Sequence, residues 1–209
     1  MTEIIRDPQA IEAKSFEIID AEVGAHSFSD IEWPVIRRIV HTSADYDFVM
    51  NTLVSEGAID SALQAIREGC GIYCDTNMVL SGVNKSRLAE FGCQISCHVA
   101  DADVAEQAKA EGVTRSIVAL RKGAASGCRI FLIGNAPTAL YELLDLHKKG
   151  KVDPALVVGV PVGFVGAAES KEELVVSGLP QITCRGRKGG STIAAAICNA
   201  LVLLAKDKG

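Results

Sequence analysis

Residues able to do chemistry gather first in one stretch, SDIEWPVIRRIVHTSADYD at 29–47. Val35, Ile36, Ile39 and Val40 form an apolar stripe at helical spacing. Ser29 and Glu32 have the capping-box spacing. A helix over 29–42 is therefore predicted, starting late enough to tolerate Pro34. Arg37 and His41 stand four apart on one face, with Arg38 beside them. His41 falls in the last turn, before Thr42, Ser43 and Ala44 break the pattern. The negative end of the helix macrodipole there favours a positive charge, and the two arginines oppose it. An imidazole in that balance can release a proton at neutral pH, and the cations beside it can hold an anionic ligand. His41 is thus a candidate general acid. The same spacing also describes a surface histidine on a basic helix face.

A second concentration is RGRKGGST at 185–192. Gly189, Gly190, Ser191 and Thr192 open a helix, so free N–H groups and the positive dipole end would face an anion. Arg185 and Arg187 add cations suited to carboxylate or phosphate. A solvated basic loop is the plainer alternative. No Walker-type phosphate loop and no Gly-x-Gly-x-x-Gly fingerprint after the first strand is present. Arg115 sits at the start of another helix, where the dipole disfavours a cation. A partner is expected, and Glu111 four residues earlier has the spacing for it.

Seven cysteines occur: Cys70, Cys74, Cys93, Cys97, Cys128, Cys184 and Cys198. Cys70-x3-Cys74 and Cys93-x3-Cys97 invite a metal reading, since i and i+4 share a strand face. The spacings match no zinc motif. The second member of each pair, like Cys184, falls in an apolar strand, and free cysteine is among the most buried residue types. They are read as core, and no metal site is assigned.

The elements that must position these residues follow from punctuation and periodicity. Asp7-Pro8 opens a helix to Val23, stopped by Gly24, with Ser15 in its middle. After the 29–42 helix come a helical piece over 45–53 and a helix over 55–68. Short apolar strands are predicted at 71–74, 94–99, 129–133, 155–160 and 181–184. Helices at 77–91 (broken at Gly82), 101–111, 114–125, 137–149, 167–175 and 191–205 separate or follow them. The expected fold is α/β, a five-stranded mainly parallel sheet flanked by helices, with a helical N-terminal region. Runs such as ALVVGV suit strands buried on both faces. Ligands of such sheets sit beyond the strands' carboxyl ends. Those ends carry Asp75, Asn135, Gly163, Phe164, Arg185 and Arg187.

The chain of 209 residues is 48% hydrophobic and only 5% aromatic, so the core is built from aliphatic residues, and one domain over 1–209 is expected. A net charge of −5 argues against general nucleic-acid or acidic-membrane binding. No apolar run reaches the length of a membrane span. MTEIIRDPQA lacks the apolar core of a signal peptide, and the odd cysteine count argues against a disulfide framework, so a cytoplasmic protein is expected.

Several long segments together resemble one family. VPVGFVGAAESK at 160–171, GNAPTAL at 134–140 and RGRKGGS at 185–191 are strongly similar to precorrin-8X methylmutases, also called cobalt-precorrin-8 methylmutases. Ser15-Phe-Glu-Ile-Ile19, Arg38-Ile-Val-His41 and Cys74-Asp-x-x-Met78-Val79 match as well. Asn84 departs from the family form, where a threonine stands. The resemblance implies an isomerase of corrin-ring (cobalamin) biosynthesis. It moves a methyl group from carbon 11 to carbon 12 of the macrocycle, giving hydrogenobyrinate or its cobalt form, cobyrinate. The family histidine falls on His41, which would protonate a ring nitrogen or imine. Ser15, Arg38 and Arg115 match family positions around the substrate. With them, Arg37, Thr42, Ser43, Asn135, Gly163, Phe164, Arg185 and Arg187 are expected to bind it. The resemblance further implies a homodimer with sites near the interface. No cofactor is expected, because an isomerisation needs no redox partner. The competing readings are a non-catalytic tetrapyrrole carrier and an unrelated phosphate-binding α/β protein.

Overall fold

The computed structural model describes residues 5–207. The N-terminal part comprises α1 (Pro8–Val23), α2 (Trp33–Ser43), α3 (Asp47–Asn51), β1 (Thr52–Val54) and α4 (Ala58–Arg67). Then follow β2 (Gly71–Cys74), α5 (Asn77–Gly82), α6 (Lys85–Glu90), β3 (Gln94–Ser96), α7 (Ala102–Glu111) and α8 (Arg115–Ala125). The rest is β4 (Cys128–Ile133), α9 (Pro137–Lys148), β5 (Leu156–Gly159), α10 (Ala167–Val175), β6 (Gln181–Cys184) and α11 (Ser191–Asp207). The sheet order is β1-β6-β5-β4-β2-β3, parallel throughout except that β1 runs antiparallel to β6.

Alternate residues of the central strands feed opposite layers. Ile72, Cys74, Ile130, Leu132, Leu156 and Val158 pack with α2, α4 and α11. Tyr73, Phe131, Ile133 and Val157 pack with α8, α9 and α10. Strands clothed on both faces need no polar side, which is why their sequences read as continuous apolar runs. A fully buried Val, Leu or Ile contributes about 1.5–3 kcal/mol, so both layers hold the sheet. Among the described residues no helix is long and apolar enough to cross a membrane.

The sheet has six strands where five are expected. β1 occupies the end of the segment read as helix over 45–53. Its three residues are too few to show an alternation, and they become a strand only because β6 offers a free edge: Leu53 pairs with Thr183 and Val54 with Ile182. The next helix starts at Ala58 rather than Ser55, because Gly57 takes the left-handed conformation (φ 72°) and Ser55 N–H donates to Gln181 at 3.0 Å. The second predicted strand, 94–99, stops at Ser96, leaving Cys97 half-buried beyond it.

The helix expected from Ser29 begins at Trp33. The backbone N–H and hydroxyl of Ser29 both donate to Glu32 Oε2, at 2.8 and 2.7 Å. This is the reach-back half of a capping box, and it closes a turn that lets Pro34 enter at a position where its missing N–H costs nothing. The cysteine spacing also has a geometric origin. Gly71 is registered with Gln94 in the parallel β2–β3 pair, which sets Cys70 opposite Cys93 and Cys74 opposite Cys97.

Candidate active site

His41 sits in the last turn of α2, which ends where Ala44 adopts φ 52° and its N–H caps onto Val40 at 2.8 Å. Ser43 serves that ending: its hydroxyl donates to Ile39 O at 2.9 Å and accepts Asp45 N–H at 3.2 Å. α1 lies across α2 and places Phe16 at the centre of a basic cluster. The His41 ring meets Phe16 edge-on, with centroids 5.3 Å apart. The Arg37 and Arg38 guanidinium carbons stand 4.3 and 4.8 Å from the Phe16 ring centre. Each arginine is tethered by a carboxylate of α1, Arg38 to Glu12 at 2.6 Å and Arg37 to Asp20 at 2.7 Å. Asp20 also accepts the Trp33 indole N–H at 2.9 Å. The Arg38 hydrogen bond and its charge, with smaller help from His41 and Arg87, hold the Glu12 carboxyl below the usual carboxylate range against the effect of burial. Ser15, one residue from Phe16, donates its hydroxyl to Ile11 O at 2.8 Å, and Thr42 is exposed.

A second group forms at the carboxyl ends of β5 and β6. Gly163 N–H donates to Arg187 O at 3.2 Å, and the Arg187 guanidinium lies 5.3 Å from the Phe164 ring centre. Arg185 stands 3.8 Å from the Glu172 carboxylate. Lys188 reaches both Asp45 and Asp47 at 2.6 Å, tying this loop to the segment just after His41. Beneath it the fully buried Lys171 donates to Lys188 O at 2.6 Å, and burial pushes its ammonium pKa down.

The glycine pair Gly189-Gly190 does not present an open anion cradle. A Cβ on Gly189 would stand 2.2 Å from Val160 O, and Gly190 N–H donates to that same oxygen at 2.9 Å. The Ser191 hydroxyl is bonded to Thr76 at 3.1 Å. These residues are small because strand ends and α11 pack tightly there, and the cations they flank turn outward instead.

The crevice between β2 and β4, where the strand order switches, is likewise filled from within. Asp75 is fully buried and accepts N–H from Gly134 (3.1 Å), Asn135 (2.7 Å) and Ala136 (2.8 Å). Burial pushes its carboxyl up, and the N–H donors pull it back toward the ionised form. Asn135 keeps an exposed side chain there. Nearby, Thr114 and Thr138 hydroxyls meet at 3.1 Å, joining the start of α8 to that of α9. Arg115, exposed in the first turn of α8, is not paired with Glu111. Glu111 goes instead to Arg121 at 2.6 Å and to Gln107 at 2.6 Å. Among the described residues Arg115 has no ion pair, and no hydrogen bond, ion pair or ring contact links it or Asn135 to the His41 cluster.

The structure thus joins Ser15, Arg37, Arg38, His41, Thr42 and Ser43 on two helices. It joins Gly163, Phe164, Arg185 and Arg187 at the sheet end, and sets Arg115 and Asn135 apart. Sequence spacing missed Glu12, Asp20, Asp45 and Lys171, which fix the cations. The helical phase of Glu12 with Phe16, four apart, was the one signal available for them.

Comparison with known proteins covers nearly the whole chain. A family model described as precorrin-8X methylmutase matches residues 10–204. The cobalt-precorrin-8 methylmutase of Leptospira interrogans is 47% identical over all of this chain and 99% of its own. That of Priestia megaterium is 48% identical over 97% of this chain and 90% of its own. A crystal structure of the Thermus thermophilus precorrin-8X methylmutase superposes with a TM-score of 0.90 at 42% identity, covering 96% of this chain and 98% of that one. With matches of that extent in sequence and in fold, the chain belongs to the precorrin-8X methylmutase family.

Proposed function

We propose that the protein moves a methyl group from carbon 11 to carbon 12 of the precorrin-8 macrocycle, giving hydrogenobyrinate or cobyrinate, with His41 as the general acid. The observation that carries this is the placement of His41: an imidazole at a helix end, edge-on to Phe16, with two guanidiniums over the same ring. Such a group can hand a proton to a ring nitrogen or imine. The neighbouring carbon becomes electron-poor, and the methyl migrates with its bonding pair. The shift is internal to one molecule, so no redox partner is needed. General acid catalysis is worth roughly 10²–10⁴-fold, and the remainder must come from holding the ring close to the migrating geometry. The substrate is a flat ring with several carboxylate arms, which suits Arg38, Arg115, Arg185 and Arg187 through forked hydrogen bonds. Both named relatives act, by name, on the cobalt-bearing form. We take that form as substrate and assay the metal-free one beside it.

Among the described residues no hydrogen bond, ion pair or ring contact joins the His41 cluster to Arg115 or Asn135. Phe164 and Val165, 81% and 89% exposed, extend an apolar surface beside the arginines. Both features support a homodimer whose second copy completes the site. All seven cysteines stand free, which suits a reducing cytoplasm. The test is the absorbance change when enzyme meets precorrin-8X or its cobalt form. His41→Ala should lower turnover at least about 100-fold while product still binds. Unchanged turnover rejects His41 as the acid, and a wild type that binds corrinoid without converting it returns the carrier reading.

A further inference from the structure

One residue along α2 from His41, a cleft of about 340 Å³ opens between α1, α2, α6 and α11. Glu12, Arg38 and Thr42 line one side, and Asn84, Arg87 and Asn199 the other. Most of its polar groups are spent on the fold. Asn199 accepts Asn84 N–H at 2.8 Å and donates to Gly82 O at 2.9 Å, stapling the α5–α6 joint to α11. The Asn84 side chain caps α6, accepting Arg87 N–H at 3.1 Å and the Ser86 hydroxyl at 2.7 Å. Arg38 holds Glu12. The Arg87 guanidinium is different. It is exposed and has no hydrogen-bonded or ionic partner among the described residues. It belongs to the last turn of the six-residue α6, where the helix dipole accommodates a cation but gives it no bonded partner. Hydrogen bonding and ion pairing therefore supply no reason for its place on the cleft wall.

The charge balance of the cleft supplies one. Two guanidiniums, Arg38 and Arg87, face a single carboxylate, Glu12, in a chain whose net charge is −5. Arg87 and His41 both lie close enough to Glu12 to help hold it ionised. Glu12 is already committed to Arg38 and Glu90 to Lys206, so an entering carboxylate meets a planar, five-donor group with no hydrogen-bonded partner on the open wall. Thr42, exposed on the facing side, offers a hydroxyl to the same cleft.

We infer that this cleft is a carboxylate subsite and that Arg87 determines its specificity, anchoring one peripheral carboxylate arm of the macrocycle while its ring lies against His41. This rests on the function proposed above. Arg87 makes no side-chain hydrogen bond or ion pair among the described residues, so Arg87→Ala should unfold close to the wild-type temperature.

The test is steady-state turnover of precorrin-8X or its cobalt form, with titration of the corrinoid product, for wild type, Arg87→Ala and Arg87→Lys. Loss of a forked, charge-assisted pair should raise KM and product Kd about 10- to 100-fold, with the loss carried by KM rather than kcat. The lysine variant should recover part of the affinity. A corrinoid whose arms are amidated should bind wild type and Arg87→Ala alike. A wild type that turns substrate over, with Arg87→Ala unchanged in KM and product affinity, overturns the subsite and leaves the function standing. A fall confined to kcat also overturns it. A wild type that binds no corrinoid overturns the function, and the subsite with it.

Discussion

Phe16 shows how one apolar side chain can organise a polar site. Its ring is apolar surface shared by Arg37, Arg38 and His41 at once. Guanidiniums stack on an aromatic ring because they are planar and weakly hydrated, and each contact contributes about 0.5–1 kcal/mol at a partly exposed position. The carboxylates of α1 then fix which way each guanidinium points. Glu12 is the lever that pH can reach. Its pKa lies below the usual 4.5, so the stability it adds is fully present above that value. That stability is lost as pH falls through the depressed folded pKa. The pair is partly exposed, which limits the effect to under about 1 kcal/mol. The stability of wild type minus that of Glu12→Gln, from urea unfolding at a series of pH values, should be larger at pH 6 and shrink as the pH falls below 4.5. A difference independent of pH would show that Glu12 acts by packing alone.

At the scale of elements, the site is assembled by ties between segments distant in sequence. Asp75 closes β2 and collects the N–H groups that open the turn into α9. Lys171 of α10 holds the β6–α11 loop from below, and Lys188 of that loop holds the α2–α3 segment from the side. Each tie is buried or doubled, so the cations carried between them are held without regular secondary structure of their own. Asp75→Asn replaces an acceptor oxygen with an amide that faces N–H donors. It should cost about 2–4 kcal/mol, read as a lower urea midpoint with little change in slope. A midpoint within error of wild type would mean that the turn holds without the carboxylate.

At the scale of the whole molecule, the arginines fall into separate groups, Arg37 and Arg38 on α2, Arg185 and Arg187 after β6, and Arg115 at the start of α8. Gly134 and Gly189 pack tightly against Ser191 and Val160 at the strand ends, and we propose that a flat ring lies above them and is covered from outside. A second copy of the chain can provide that cover. If Arg115 serves the site of its partner, mixing His41→Ala with Arg115→Ala chains should restore activity below KM. At equal amounts, half the dimers are mixed and one of their two sites is intact, giving about a quarter of wild-type activity. Recovery no greater than the sum of the two variants alone would place Arg115 outside a shared site, and a monomer by light scattering with full activity would remove the dimer altogether.

The sequence alone determined much of this protein, because much of it is local. Asp7-Pro8 and Gly24 bracket α1 at its observed ends, since capping and chain stiffness act within a turn. β2 and β6 fall where the apolar runs put them. The long family segments name the chemistry, with His41 inside one of them. What tertiary structure decided is pairing. β1 is a strand only because β6 has an open edge. Glu111 could have taken Arg115 by spacing and took Arg121 instead, because α8 turns that side chain toward Glu142 as well. Glu12 and Arg38, 26 residues apart, meet only once α1 crosses α2. Periodicity records which face a residue occupies, whereas the partner on the opposing face is fixed only when two elements dock.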